Sequence, residues 1–237
     1  MSSQALFLES VLRYPVTMIR PKFKSAAIAL RVLRSLRRKY EVLKADEVVD
    51  FEYTEHIKGL IKRGLKLGKN VVLEENVSFD SGYPYLISIG NNCAIATGTR
   101  IHAHDDTPYK FTGGYARLGR VNILDNVFIG EHCSILPGVT IGPNVLVASG
   151  SVVNKDIPPN SCIAGVPARF YAKLDEYIAS QKEAIASAKT FLYRDIRRDD
   201  LPLALREEII AETAKGICYV KGKDNSRYKH NHWNVEE

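Results

Sequence analysis

The fold of this 237-residue chain is decided by residues 123–158, which read ILDNVFIGEHCSILPGVTIGPNVLVASGSVVNKDIP. An aliphatic side chain recurs at every sixth position: Ile123, Ile129, Ile135, Ile141, Val147 and Val153. Two positions before each repeat stands a small or β-branched residue, such as Val127 or Cys133. One position earlier stands a residue type that tolerates positive φ in most repeats, namely Asn126, His132, Gly138, Asn144 and Gly150, with Asp156 in the same register. Serial repeats of this kind predict a solenoid, because one short strand cannot bury its apolar side alone.

The same register continues upstream through two interruptions. It passes Leu67, Leu73 and Phe79, resumes after four extra residues at Ile89, Ile95 and Ile101, and puts corners at Asn76, Asn92 and Gly98. His104 also falls on a corner position. Residues 107–122 (TPYKFTGGYARLGRVN) break the period and are predicted to leave the solenoid as a loop.

These units resemble the hexapeptide repeat of the left-handed parallel β-helix acyltransferases. The run GSVVNKDIPPNSCIAGVPAR, residues 150–169, is similar to the segment that closes the helix and holds coenzyme A in that superfamily. YPYLISIG (residues 83–90) and AHDDTP (residues 103–108) stand where its surface-polysaccharide and sugar O-acetyltransferase branch has EPYLISIG-like and THD-like segments. The resemblance implies a mainly β chain, a left-handed parallel β-helix with α-helical extensions at both ends.

Three segments follow from these patterns. Residues 1–64 are expected to be helical, with a last helix around residues 54–65 that covers the open end of the first coil. Residues 65–170 are expected to form the β-helix, and residues 171–237 a helical extension, with one helix starting near Tyr171 and another between Asp199–Asp200 and Gly216. The N-terminus has no signal-peptide pattern and no apolar run of about 20 residues, so a cytoplasmic location is expected.

The net charge of +6 is concentrated near the N-terminus. Residues 20–39 contain eight Lys or Arg side chains and no acid, opposite an apolar stripe that runs from Ile28 to Leu43. This segment is read either as a helix on the flank of the solenoid or as an interfacial helix near anionic lipid at the inner face of the membrane. No nucleic-acid-binding module is present, so nucleic acid is not an expected partner. Four cysteines without a disulfide framework agree with a reducing compartment.

Acetyl transfer from a thioester to a hydroxyl needs a base whose pKa is near neutrality, which favours histidine. His104 stands just before the long loop and is followed by Asp105 and Asp106, carboxylates that could orient its ring. The resemblance implies the same choice, because the His of the branch's HD pair is its expected base. Many relatives carry a second His where this chain has Asp106, so His102 and His132 are kept as alternative bases. His132 is also a normal left-handed corner residue, and His56, His230 and His232 are expected on the surface.

The resemblance also implies the residues that bind the acetyl donor. Ser149 and Gly150 match the small-residue corner along which the pantetheine arm runs, Asn154 and Lys155 match a Thr/Ser-Lys pair, and Arg169 matches a basic residue suited to phosphate. Tyr83 and Tyr85 could stack on a sugar face and Tyr115 could cover it, although loop tyrosines are also ordinary anchors. Active sites between the subunits of a homotrimer are implied in the same way.

The leading hypothesis is therefore an O-acetyltransferase that uses acetyl-CoA, needs no metal and acts on a sugar or a surface-polysaccharide precursor. His104 deprotonates the hydroxyl, which attacks the thioester directly. The alternatives are N-acetylation of an amino sugar on the same fold, a zinc hydro-lyase of the γ-carbonic anhydrase type that would use His102, His104 and His132, and a non-catalytic trimeric scaffold.

Overall fold

The computed structural model describes residues 53–196 and 201–221. The basic segment at residues 20–39, the apolar stripe from Ile28 to Leu43, the helix start at Asp199–Asp200 and the tail histidines His230 and His232 lie outside the described residues. Within the described part, no helix is long and apolar enough to cross a membrane.

The described chain winds into coils that each contribute one short strand to three parallel sheets. The first sheet contains β1 (Lys66–Leu67), β4 (Ile87–Ile89), β9 (Val121–Ile123) and β12 (Thr140–Ile141). The second contains β2 (Val72–Leu73), β5 (Ala94–Ile95), β10 (Val127–Ile129), β13 (Val145–Val147) and β15 (Ser161–Ala164). The third contains β3 (Ser78–Phe79), β6 (Arg100–Ile101), β11 (Ser134–Ile135) and β14 (Val152–Val153). The predicted six-residue period is therefore one side of a three-sided coil.

The interior of the coils is a column of the aliphatic residues that define the period. From Ile123 to Val153, every sixth side chain is 0 or 1% exposed, and the small inward residues Val127, Cys133 and Ser151 are equally buried. Full burial of one such aliphatic side chain contributes about 1.5–3 kcal/mol relative to exposure. The solenoid is thus stabilised by stacking identical positions from successive coils.

One edge of the solenoid is formed by stacked asparagines in the left-handed region. Asn70, Asn92, Asn126, Asn144 and Asn160 all have φ between 54° and 58°. The side-chain amide of each of the first four donates to the next asparagine along the edge, at distances of 3.0, 3.3, 3.1 and 2.9 Å. The ladder satisfies side chains whose backbones turn the corner, which explains why asparagine recurs there.

Two predicted corners are wrong. Asp156 has no positive φ, and its carboxylate instead accepts a hydrogen bond from the Thr140 amide of the previous coil at 2.7 Å. His104 has no positive φ either, because the chain has already left the coil and forms an antiparallel hairpin between β7 (His104–Asp105) and β8 (Arg117–Leu118). His132, at φ 53°, is a left-handed corner as predicted.

Both interruptions leave the solenoid at the same edge, between the third and the first sheet. The shorter one follows β3 and includes a 3₁₀ turn at Pro84–Leu86. The longer one follows β6 and occupies residues 103–120, here called the long loop. It ends earlier than the predicted residue 122, because Val121 and Asn122 already pair with β4 or β12. Phe79 is in register with Ile101, so the two insertions start side by side.

Helical and irregular elements close both ends of the described chain. Helix α1 (Glu55–Lys62), at the predicted place, starts at an N-cap Thr54 and contributes Ile57 and Leu60 to the core. At the other end, β16 (Arg169–Lys173) turns back antiparallel to β15 and so extends the sheet beyond the predicted residue 170. The predicted helices after it are α2 (Leu174–Ser187) and α4 (Leu203–Thr213). Between them lies α3 (Tyr193–Ile196), and β17 (Thr190–Leu192) pairs with β18 (Tyr219–Lys221) in parallel, which the sequence did not predict.

Candidate active site

A buried carboxylate, Asp80, joins the two insertions at the shared edge. Its Oδ1 accepts the backbone N–H groups of Gly82 at 2.9 Å and Tyr83 at 3.2 Å. Its Oδ2 accepts those of Ala103 at 3.0 Å and His104 at 2.9 Å. The side chain is 1% exposed, so this single acidic group fixes the start of both insertions.

The imidazole of His104 is held by the same carboxylate. Its Nδ1 contacts Asp80 Oδ2 in a hydrogen-bonded ion pair, which leaves Nε2 on the outer side of the ring. Nε2 lies 3.7 Å from the Asp106 carboxylate, whose side chain is 68% exposed. The His104 side chain is 35% exposed, so a solute can reach the ring. This arrangement fixes the ring orientation while it keeps one nitrogen accessible.

The charges of the pair alter each other's titration. The hydrogen bond to Asp80 raises the pKa of His104 above its ordinary value; partial desolvation opposes this, and the nearby Asp106 and Asp105 charges add to it. Burial alone would raise the pKa of Asp80, but its hydrogen bonds from His104, Ala103 and Tyr83 outweigh burial and the pKa of this carboxyl is lowered. Asp80 is therefore ionised under any condition in which His104 can act as a base.

Asp105 does not orient the imidazole ring. Its carboxylate accepts hydrogen bonds from the Thr107 backbone at 2.8 Å and hydroxyl at 2.5 Å, and it pairs with Arg117 across the hairpin. The hydrogen bonds from Thr107, with that from Arg117, lower the pKa of Asp105 to about 2. The role that we predicted for a carboxylate next to His104 in sequence is taken by Asp80, and Asp105 holds the base of the long loop.

The three predicted acceptor tyrosines lie in different environments. The half-buried ring of Tyr83 packs against the core and contacts His104, with ring centroids 5.4 Å apart and tilted by 60°. Tyr85 is 58% exposed and meets Tyr83 edge to face, with centroids 6.3 Å apart. Tyr115, in the long loop, is 74% exposed. Tyr83 thus lies against the histidine and Tyr85 lies against Tyr83, whereas Tyr115 has no ring contact with His104 in the described part of the chain.

The alternative bases have other surroundings. His132 is exposed, and its Nδ1 lies so close to Gly98 that a Cβ there would be 2.4 Å away. The backbone N–H of His102 donates to Ile135 of the next coil at 2.9 Å. No carboxylate is recorded against either ring in the described chain. Among residues 53–196 and 201–221, no three His, Cys, Asp or Glu side chains form a group that could hold a metal ion.

The predicted donor residues lie on the fourth coil and on β16. Gly150 turns at φ 72°, and a Cβ on it would meet no atom within 4 Å, so its corner is open to a close ligand. Ser149 Oγ accepts the Glu131 amide at 3.2 Å, and the exposed Asn154 and Lys155 follow β14. Arg169 is exposed and donates to the Ala168 carbonyl at 2.9 Å.

Only some of the predicted donor residues lie at the same edge of the solenoid as His104. Because β3, β6, β11 and β14 stack in that order, Asn154 follows the third sheet two coils beyond the long loop. At about 4.8 Å per strand, this is roughly 10 Å along the axis. Ser149 and Gly150 lie at the preceding edge of the same coil, between the second and third sheets. The structure therefore joins His104 to Asp80, Tyr83 and Asp106, and holds the donor residues apart from that group.

Asp80 is a candidate site residue that the sequence did not reveal. The signal was its register: Asp80 follows Phe79 as His102 follows Ile101, and both interruptions of the period start there. Two interruptions at one register position predict neighbouring insertions. A lone acid at the start of one of them is then a candidate partner for the histidine of the other.

Comparison with known proteins agrees with the coil architecture. The family described as "Bacterial transferase hexapeptide (six repeats)" matches residues 120–155. A Staphylococcus aureus (strain Mu50) protein, provisionally named an acetyltransferase, is 39% identical over 49% of this chain and 59% of its own length. The galactoside O-acetyltransferase of Escherichia coli (strain K12) is 34% identical over 47% of this chain and 55% of its own length.

Among solved structures, the maltose O-acetyltransferase from Clostridium difficile 630 is 30% identical, covers 57% of this chain and 83% of its own, and has a TM-score of 0.40. The chain spans little more than half the length of the curated relatives it matches. The predicted resemblance to the hexapeptide-repeat acyltransferases is confirmed by the family match and by these relatives. The predicted fold class, mainly β with a left-handed parallel β-helix, is confirmed.

Proposed function

We propose that this chain is an acetyl-CoA-dependent O-acetyltransferase that acts on a sugar hydroxyl. The observation that carries the proposal is the His104–Asp80 pair, which holds an accessible ring nitrogen at an edge of a hexapeptide-repeat solenoid. The relatives named as O-acetyltransferases support the reaction class. The acceptor is a saccharide or a surface-polysaccharide precursor.

Asp80 and His104 act together in the proposed reaction. Asp80 accepts a hydrogen bond from Nδ1–H, so the neutral ring presents the lone pair of Nε2. Nε2 takes the proton of the acceptor hydroxyl while the hydroxyl oxygen bonds to the acetyl carbonyl carbon. The acetyl group is transferred directly, and no acyl-enzyme forms. Collapse breaks the carbon–sulfur bond, and the imidazolium returns its proton to the departing thiolate. Asp80 stabilises the imidazolium between these two transfers.

The donor is proposed to lie along the open corner and the exposed basic residues. Gly150 leaves space for the pantetheine arm next to backbone amides, with Ser149 at its side. Asn154 offers hydrogen bonds, and Lys155 and Arg169 offer charges for phosphate groups. We infer a cytoplasmic location from this donor, whereas membrane contact through residues 20–39 stays a prediction.

A homotrimer with active sites between subunits would bring the predicted donor residues close to the residues around His104. His104 and the donor corner lie at different edges and coils of one chain, so an adjacent subunit is the proposed source of the second wall. The exposed Tyr85 and Tyr115 offer aromatic faces to a sugar. Asp105, through Arg117, is proposed to hold the loop that covers the acceptor.

The His104→Ala variant tests the base. Coenzyme A release in the presence of a saccharide acceptor should fall by about 100-fold or more, since general base catalysis contributes 10²–10⁴-fold. Acetyl-CoA binding should be unchanged. The matched control is His132→Asn, which keeps a residue type that accepts the φ of 53° at that corner and should keep turnover. Equal turnover of His104→Ala and the unsubstituted chain would refute the role of His104, and loss of turnover in the control would point to His132.

A further inference from the structure

Three carboxylates surround His104, but only one of them lies against the nitrogen that reacts. Asp80 is bound to Nδ1 and to four backbone N–H groups. Asp105 is paired with Arg117 across the hairpin. Asp106 is next to Nε2, at 3.7 Å, and its only ion pair in the described part of the chain is with this ring.

The charge balance at Nε2 follows from these contacts. When His104 is neutral, as a base must be, Asp80 remains in its shell of N–H donors and Asp105 remains paired with Arg117. Asp106 then keeps a negative charge with no cation recorded against it in the described residues. The acceptor hydroxyl must approach Nε2 to within hydrogen-bond distance, so the rest of the acceptor lies within a few ångströms of this carboxylate.

The position of Asp106 is fixed by the loop rather than by the side chain alone. Its backbone carbonyl accepts the Tyr109 amide at 2.9 Å, and the preceding Asp105 is locked by Thr107 and Arg117. The side chain is nevertheless 68% exposed, so it can hydrogen-bond a ligand. A fixed backbone with a free carboxylate is suited to bind a second hydroxyl or an ammonium group of the acceptor.

We propose that Asp106 selects the acceptor by charge, favouring neutral and amino sugars and rejecting sugars that carry a carboxylate. The inference rests on the proposed function, since it requires His104 to be the base. A carboxylate on the acceptor meets a like charge near Nε2, whereas an amine meets an opposite charge and a neutral diol meets a hydrogen-bond acceptor.

The test uses three p-nitrophenyl glycosides that differ in charge: the β-D-glucoside, the β-D-glucuronide and the 2-amino-2-deoxy-β-D-glucoside. The measured quantity is the ratio of kcat/KM for the glucoside to that for the glucuronide. Asp106→Asn should lower this ratio by about tenfold, because a like-charge repulsion of roughly 1.4 kcal/mol is removed. Asp106→Glu should restore the preference, and the ratio of the unsubstituted chain should fall as ionic strength rises.

A matched control removes the same charge elsewhere. Glu207→Gln lies on the exposed face of α4, and the ratio should not change in this variant. An unchanged ratio in Asp106→Asn, or an equal fall in Glu207→Gln, would overturn the proposal while the transferase function stands. If the unsubstituted chain binds acetyl-CoA and acetylates only the glucuronide, the inference is wrong in sign. If it does not bind acetyl-CoA at all, the proposed function fails as well, and the two failures are thereby distinguished.

Discussion

Replacement of Asp80 by Asn should damage both stability and catalysis, because this carboxylate serves five donors. Oδ1 accepts two backbone N–H groups, and Oδ2 accepts two more together with the His104 ring. The side-chain carbonyl of an asparagine can accept the donors of one carboxylate oxygen. Its NH₂ group then faces the N–H donors that were bound to the other oxygen. Two N–H groups then lose their acceptor, either those of Ala103 and His104 or those of Gly82 and Tyr83.

The expected cost is large for a single substitution. Removal of one partner of a buried ion pair costs about 3–5 kcal/mol. The total free energy of unfolding of a protein is only about 5–15 kcal/mol. Turnover should fall by about 100-fold or more, since the ring loses the group that fixes its tautomer and orientation. The acid limb of the pH–rate profile should also move to lower pH, because the hydrogen bond that raises the pKa of His104 is lost.

The assay pairs urea unfolding with steady-state rates, and it needs a control aspartate. Asp125→Asn is suitable, because Asp125 also accepts a backbone N–H, that of Asn91 at 2.7 Å, but is exposed. We expect this control to cost about 1 kcal/mol and to keep the pH profile. If Asp80→Asn changes the unfolding free energy no more than Asp125→Asn and leaves the acid limb in place, Asp80 does not hold the site as described.

Three further predictions concern titration, the core and the long loop. The raised pKa of His104 puts the pH of half-maximal kcat/KM above ~6.5. The stability that the His104–Asp80 pair contributes is complete below that pH and is lost as the pH rises through the folded-state pKa of His104. An acid limb below pH 6 in a pH–rate series would contradict this prediction. Ile135→Ala should destabilise the protein by about 2–5 kcal/mol, since Ile135 is fully buried. Asn126→Ala should cost about 1–3 kcal/mol, and Asn126→Gly should cost less. Equal costs of the two Asn126 variants in urea unfolding would show that the left-handed corner at φ 58° does not matter. Arg117→Ala should raise the pKa of Asp105 from about 2, measured by NMR titration, and raise KM for the acceptor several-fold; an unchanged pKa would mean that the ion pair is not formed.

The solenoid could be predicted because its physical rule is local. Each coil repeats the same choice, an aliphatic residue inward and a left-handed corner residue outward, so Ile135 and Asn126 carry the information within six residues. The register of the three sheets then follows from counting. The three-residue strands β17 and β18 carry no such repetition and pair across 29 positions, which is why the sequence did not reveal them.

The site was only half predictable because it lies where the period stops. His104 was predicted as the base from its chemistry, but the carboxylate that contacts its ring lies 24 positions away in another insertion, while acids adjacent in sequence were available. In an extended strand, successive side chains point to opposite sides, so His104 and Asp105 in β7 diverge. Asp105 therefore reaches Arg117, and Asp80 reaches the ring. Proximity in sequence was the wrong guide where the chain left the coil as a hairpin.

The central claim, that this chain is an acetyl-CoA-dependent transferase, is tested most directly by isothermal titration with acetyl-CoA. The unsubstituted protein should bind saturably, and Lys155→Ala should weaken binding, because an exposed point charge for phosphate is removed. Lys182→Ala, on α2, is the control of equal charge and should bind as the unsubstituted protein does. No binding at millimolar acetyl-CoA would contradict the claim.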